Sequence, residues 1–313
     1  MRGIIKPPVS PSEPTPKAQA ARRTESQKTT EKPVEIQASA DPRGRVVRET
    51  HVHTVSQLIS ELEKLDYVKK GLWFRGTGNA SYQLLPSLFR NTRVSNQVGL
   101  KKLEHDLNEM FRIRSVPYID KGLAAGSDWD RLFFMQHYRI PTRLLDWSGS
   151  PLVSLHFAVT SVALDNNGKP NADVAVWTLD PAAWNNAAYA DTNFSGGILS
   201  ARDSWLKRYE PDEVYTQPNG LPPVALRGTH NSPRIVAQQG YFTVFGPRPD
   251  PMEKAYCAPE GPAFPNDCLV KFVIPKNEVL KMRDEIFALG ISESTIYPDL
   301  EGLAAELKRN FGF

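Results

Sequence analysis

From Val46 onward the chain carries a regular hydrophobic pattern. Leu58, Ile59, Leu62 and Leu65 fall on one stripe behind Thr54, a capping residue, and predict a helix. Leu72, Trp73 and Phe74 predict a short strand, which Gly76 and Gly78 break before Pro86 re-extends the chain. Leu100, Leu103, Leu107, Met110 and Phe111 recur at helical spacing over residues 98–114. A further helix is expected from Asp128, as N-cap, to about Tyr138. Arg139-Ile140-Pro141 ends it, because the residue before a proline is pushed out of the helical region. Residues 142–150 read as a loop or short extended segment. Ser150 and Pro151 then open a helix as cap and first-turn proline, with Leu152, Leu155, Ala158 and Val162 on its inner face.

Residues 172–179 predict a strand, and residues 180–231 a mixed region with three short helices. Residues 234–246 read as two strands interrupted at Gly240, and Cys268–Ile274 as another strand. Asn277–Leu289 is a predicted helix stopped by Gly290, and a last helix starts near Leu300. No internal repeat is visible. Helices cluster early and few strands are joined by tight turns, which points to a single α+β domain.

Composition changes this picture mainly at the N-terminus. Residues 1–50 hold ten Lys/Arg against six Asp/Glu, an excess of four, whereas the whole chain carries +3. The rest is therefore close to −1, and its charge gives no argument for nucleic-acid binding by the folded part. Nucleic acid remains a partner for the basic tail alone. The same fifty residues contain seven prolines and no aromatic side chain, so residues 1–45 are expected to be a disordered basic tail. No signal peptide and no apolar run of about 18 residues is present, so a cytoplasmic protein with no membrane span is expected. Cys257 and Cys268 flank a Pro/Gly-rich segment and read as reduced thiols, without zinc-site spacing.

Candidate chemistry concentrates between Phe134 and Val159, where His137, Arg139, Arg143, Asp146, Trp147 and several hydroxyls sit between apolar runs. Arg75, at a strand end beside glycines, either pairs with a carboxylate such as Asp146 or holds an anion. His137 is either a satisfied core residue or a general base. Arg143 and Asp146 are expected to pair and pin their loop. Trp147 is either core or a stacking surface for a planar ring. Thr142, Ser148 and Ser150 either donate to a ligand or cap the following helix. Gln238 and Gln239 either satisfy a strand edge or bind a ribose or amide. His51 and His53 read as solvated. No GxSxG, HExxH, Walker or GxGxxG motif occurs, and no metal site is expected.

Several of these segments resemble the FRG domain family. They are Phe74-Arg75-Gly76, LLPSLFR (84–90), QHYRIPTRLLDWSGSPLVSLHFA (136–158), RIVAQQGYF (234–242) and IYPDLEGLA (296–304). The chain departs at Thr77, Arg139 and Ser148, where the family often has Gln, Gly and Thr. The resemblance implies an intracellular bacterial or phage-associated protein of the defence or toxin type, with an FRG domain over residues 46–313. A more distant similarity to ADP-ribosyltransferases implies an α+β fold. Its single mixed α/β core would resemble their split sheet with packed helices, and NAD would be the substrate. On that reading Arg75 and Gly76 hold phosphate, with Thr142, Arg143, Trp147 and Ser148 completing the NAD site. His137, Gln238 and Gln239 are the catalytic candidates, acting on an unknown macromolecular target. Gln238-Gln239 stands where those enzymes carry a glutamate. Two other readings stay open: a non-catalytic sensor or interaction module, and a hydrolase using His137 and Asp146 with a hydroxyl.

Overall fold

A computed structural model describes residues 45–94, 96–118, 127–211, 213–216, 220–229 and 232–313. Of the expected tail, residues 1–44 lie outside the described residues. Arg45 belongs to the folded part instead. It is 8% exposed, and its guanidinium donates to the carbonyls of Ala258, Pro262 and Phe264.

β1 (Arg48–His51) leads into α1 (Val55–Lys64), where Thr54 Oγ1 accepts the Gln57 N–H at 3.1 Å. The stripe behaves as expected: Val55, Leu58 and Leu62 are buried. A single turn, α2 (Tyr67–Lys70), closes on Gly71 in the left-handed region, φ 60°. β2 (Trp73–Thr77) follows, then a 3-10 turn at Ser87–Arg90. α3 (Gln97–Arg114) buries Leu100 and Glu104 but leaves Met110 exposed. α4 (Asp128–His137) is capped by Ser127, one residue before the expected Asp128, in a reciprocal box with Asp130. Arg139 just beyond it sits at φ 60°.

Of the two alternatives for residues 142–150, loop or short extended segment, the extended one holds, as β3 (Leu144–Ser148). α5 (Pro151–Thr160) begins as expected on Ser150 and Pro151, and β4 (Val174–Leu179) is buried throughout. The region expected to hold three short helices contains α6 (Pro181–Ala188) and the two-residue β5 (Leu199–Ser200). Two 3-10 segments and β6 (Val224–Arg227) follow. The first of the two strands expected over 234–246 is a helix, α7 (Pro233–Ala237), and only β7 (Gly240–Val244) is extended. The reason is local: Ser232 Oγ accepts the Ile235 N–H at 3.3 Å and Pro233 fits the first turn. α8 (Met252–Cys257), β8 (Leu269–Ile274), α9 (Lys276–Ala288), α10 (Glu293–Ile296) and α11 (Leu300–Phe311) complete the chain. Cys257 and Cys268 form no disulfide.

Among the described residues the strands form one mixed sheet in the order β1-β8-β4-β2-β3-β7-β6-β5. β1 with β8 and β5 with β6 are parallel, and the other pairs are antiparallel. β2 matches β4 through five consecutive residues, and β3 matches β7 through five. β2 and β3 share one register pair, Phe74 with Ser148. The sheet is pinned there and parts beyond it.

α1, α5 and α9 cover one face over β2, β4 and β8, through Leu58, Leu62, Leu155, Val176, Phe272 and Met282. The opposite face carries Trp73, Leu145, Trp147, Trp177, Trp184 and Leu269. A third cluster joins α4 to β3, β6 and β7 through Phe133, Leu144, Leu226 and Phe242. Each such fully buried side chain contributes roughly 1.5–3 kcal/mol relative to exposure. Gly76 lies inside β2 and does not break it. A Cβ there would stand 1.9 Å from the Ser154 carbonyl oxygen, so the backbone of α5 rests directly on the strand.

Candidate active-site cleft

Where β2 and β3 part, a cleft of about 390 Å³ opens. β2 supplies Arg75 and Gly76, and the end of α4 supplies Gln136, His137 and Arg139. β3 supplies Asp146, α5 supplies Ser154 and Phe157, and α7 brings Arg234 with Gln238 at its end. Arg90 and Tyr297 complete the wall. Alternation along β3 places Leu145 and Trp147 in the aromatic cluster on one face and leaves Asp146 exposed to the cleft.

Arg75 Nη1 donates to the Asp146 carbonyl oxygen at 2.6 Å and lies 3.9 Å from Asp146 Oδ2. Burial lowers the Arg75 pKa from its ordinary value, against the pull of Asp146, and the guanidinium stays charged. The Asp146 side chain is 56% exposed, but into a recess walled by protein. That surrounding mass raises its pKa above the usual carboxylate value, partly offset by Arg75 and a Gln136 hydrogen bond.

A short relay aims this carboxylate. The Leu144 N–H donates to Thr142 Oγ1 at 3.0 Å, and Thr142 Oγ1 donates to Gln136 Oε1 at 2.5 Å. Gln136 Nε2 then donates to Asp146 Oδ2 at 2.7 Å. Burial, and secondarily Arg234, lower the His137 pKa, which favours the neutral ring. Ser232 Oγ stands 3.4 Å from His137 Nδ1. The Arg234 guanidinium lies 4.4 Å from the Tyr297 ring centroid. Ser154 Oγ is buried without a hydrogen-bond partner at the cleft wall.

Of the residues singled out in the sequence, Arg75, Gly76, His137, Arg139, Asp146, Trp147, Ser148 and Gln238 line this cleft. Their polar atoms differ in freedom. Ser148 Oγ donates to the Gln238 carbonyl at 2.7 Å and accepts the Ser150 N–H at 3.0 Å. Gln238 Nε2 donates to the Ile296 carbonyl at 3.2 Å. The Trp147 indole packs in the aromatic cluster and donates to Thr243 Oγ1 at 3.1 Å.

Thr142, Arg143 and Gln239 stand outside the lining. Thr142 acts through the relay. Arg143 does not pair with Asp146, as the sequence suggested. It is 1% exposed, its Nε is 2.7 Å from Glu104 Oε1, and its two Nη atoms donate to the Phe245 and Tyr209 carbonyls. Gln239 sits at φ 46°, with its carbonyl accepting the Gly149 N–H at 2.9 Å. Sequence reasoning missed Arg90, Gln136, Ser154, Arg234 and Tyr297 as cleft residues. The signal was there: each of the five lies in a segment carrying the family resemblance.

Residues 70–167 match the family model described as FRG domain. Over those residues the chain is similar to the FRG domain. The match spans β2, α3, α4, β3 and α5, and with them Arg75, Arg90, His137 and Asp146. The cleft is completed from outside that span by Arg234, Gln238 and Tyr297. Neither curated proteins nor solved structures gave a match. Among the described residues no helix is long and apolar enough to cross a membrane.

Proposed function

We propose that the FRG-domain cleft binds a phosphate-bearing nucleotide, NAD in the first instance, and that the protein acts as an ADP-ribosyltransferase-like effector on a macromolecular target. A defence- or toxin-type role in bacteria or phage follows from the family resemblance. The observation that carries the reading is the convergence of Arg75, Arg90, Arg139 and Arg234 on one cleft at the parting of β2 and β3. Guanidinium forks match phosphate geometry. Phe157 and Tyr297 add apolar ring surface beside them. Ser154 Oγ, buried and without a partner, fits a ligand that brings its own hydrogen-bonding group. The cleft volume falls in the range of roughly 300–1,000 Å³ common for small-molecule sites.

In this reading Arg75 takes the pyrophosphate, on the strand that Gly76 lets α5 pack against. His137, neutral at pH 7, orients the ribose. The test is calorimetric titration of NAD into the full chain and into Arg75→Ala. Affinity is expected to fall by at least about tenfold, the equivalent of 1.4 kcal/mol for one charged contact. Unchanged affinity would overturn the reading.

One observation favours a non-catalytic interaction module instead: β7, residues 240–244, contains no glutamate. Expression toxicity with and without Arg75, together with NAD turnover, separates the two. Absence of both toxicity and turnover favours the module.

A further inference from the structure

We infer that Asp146 is the catalytic carboxylate of this cleft. The inference rests on the NAD reading above and assigns the chemical step within it. Among the described residues Asp146 is the sole carboxylate in the cleft lining, which it shares with four arginines and His137.

Its setting is unlike that of a carboxylate retained for an ion pair. Arg75 Nη1 directs its short contact, 2.6 Å, at the Asp146 backbone carbonyl and stays 3.9 Å from the carboxylate. A structural Arg–carboxylate pair would close into direct contact, as Arg143 does, its Nε lying 2.7 and 2.9 Å from the two Glu104 carboxylate oxygens. The Asp146 Oδ2 is held by Gln136, and Gln136 is itself held through Thr142 to the β3 backbone. That relay fixes the orientation of the group while leaving over half of its side chain open to the cleft, 56%. Gln238 and Gln239 cannot serve in its place: an amide does not take up a proton near pH 7, Gln238 is tied to Ile296, and Gln239 lies outside the lining.

The step balances with NAD and an acceptor hydroxyl, or water, as the only reactants. The bond from ribose C1′ to the nicotinamide nitrogen breaks, and its electron pair leaves with nicotinamide, which becomes neutral. The acceptor oxygen bonds to C1′ and loses its proton to the Asp146 carboxylate, which passes it to solvent. Before that bond forms, the negative carboxylate stabilises the cationic sugar.

The experiment measures nicotinamide release and NAD affinity for the full-length wild type and Asp146→Asn. The expected result is a release rate at least about 100-fold lower, the usual scale of acid–base catalysis, with NAD affinity kept within about threefold, under 1 kcal/mol. Release by Asp146→Asn at the wild-type rate overturns the inference and leaves the NAD reading intact. A wild type that neither binds NAD nor releases nicotinamide overturns both. Should Asp146→Asn fail to fold, Gln136→Leu decides, since it frees the carboxylate from its relay. A fall in kcat at unchanged KM supports the assignment, and an unchanged kcat overturns it.

Discussion

Arg143 gives its guanidinium to Glu104 and to two backbone carbonyls in the interior, while Arg75 keeps one edge toward a cleft. The same side chain is thus consumed by the interior in one place and left toward a cleft in the other, according to what surrounds it. His156 shows the cost of a buried polar group without partners. It is 2% exposed on α5, and neither ring nitrogen has a hydrogen-bond partner. Burial pulls its pKa from 6.5 down to about 4, with Glu293 and Arg309 acting in opposite senses. The folded state therefore resists protonation that the unfolded chain accepts. Stability from this group is complete above pH 6.5 and is lost as pH falls from 6.5 to about 4. The loss amounts to about 3 kcal/mol, from 1.36 kcal/mol per pKa unit. Urea titrations across that window should show the decline in the wild type and a flatter profile in His156→Leu. Parallel profiles would assign the acid sensitivity to other groups.

At the scale of elements, the contact between β2 and α5 governs the cleft. Gly76 permits it, because any Cβ at that position meets the Ser154 carbonyl and the Ala158 nitrogen, at 1.9 and 2.6 Å. Both obstacles are backbone, so neither can swing aside. Gly76→Ala is expected to cost about 3 kcal/mol or more by forcing the helix off the strand. Thermal melting checks this, and a melting temperature equal to wild type would show that the helix moves freely. Because α5 also carries Ser154 and Phe157, surviving Gly76→Ala protein should bind NAD more weakly than wild type.

Across the whole molecule, the FRG match and the folding unit differ in extent. Residues 70–167 contain β2 and β3 but neither β4 nor β7, the strands with which each forms its longest pairing. Two strands that share one register pair do not make a stable sheet. A fragment of residues 70–167 is therefore expected to be unfolded by circular dichroism, whereas residues 45–313 should give a cooperative melt. A cooperative transition in the short fragment would refute the view that the far strands are required. The cleft follows the same logic, since Arg234 and Tyr297 reach it from outside the matched span.

Elements specified by neighbours in sequence were legible in the chain itself. Thr54, Ser150-Pro151 and Gly290 mark helix ends because a cap and the groups it satisfies lie within a few residues. Arg75, His137 and Gln238 were legible as residues that line a cleft because polar groups stood out among apolar runs. β6 was not, and β3 was legible only as one of two alternatives, since a strand's hydrogen bonds go to distant partners: Leu144 pairs with Val244, and Val224 with the same residue from the other side. Nor could sequence tell Arg75 from Arg143, or assign Asp146 to a cleft and Glu104 to the core. Those roles depend on which face of a strand a side chain leaves and on where β2 parts from β3. The order of residues therefore determined the local helices and the polar inventory, and the long-range pairing of the sheet decided which polar groups meet.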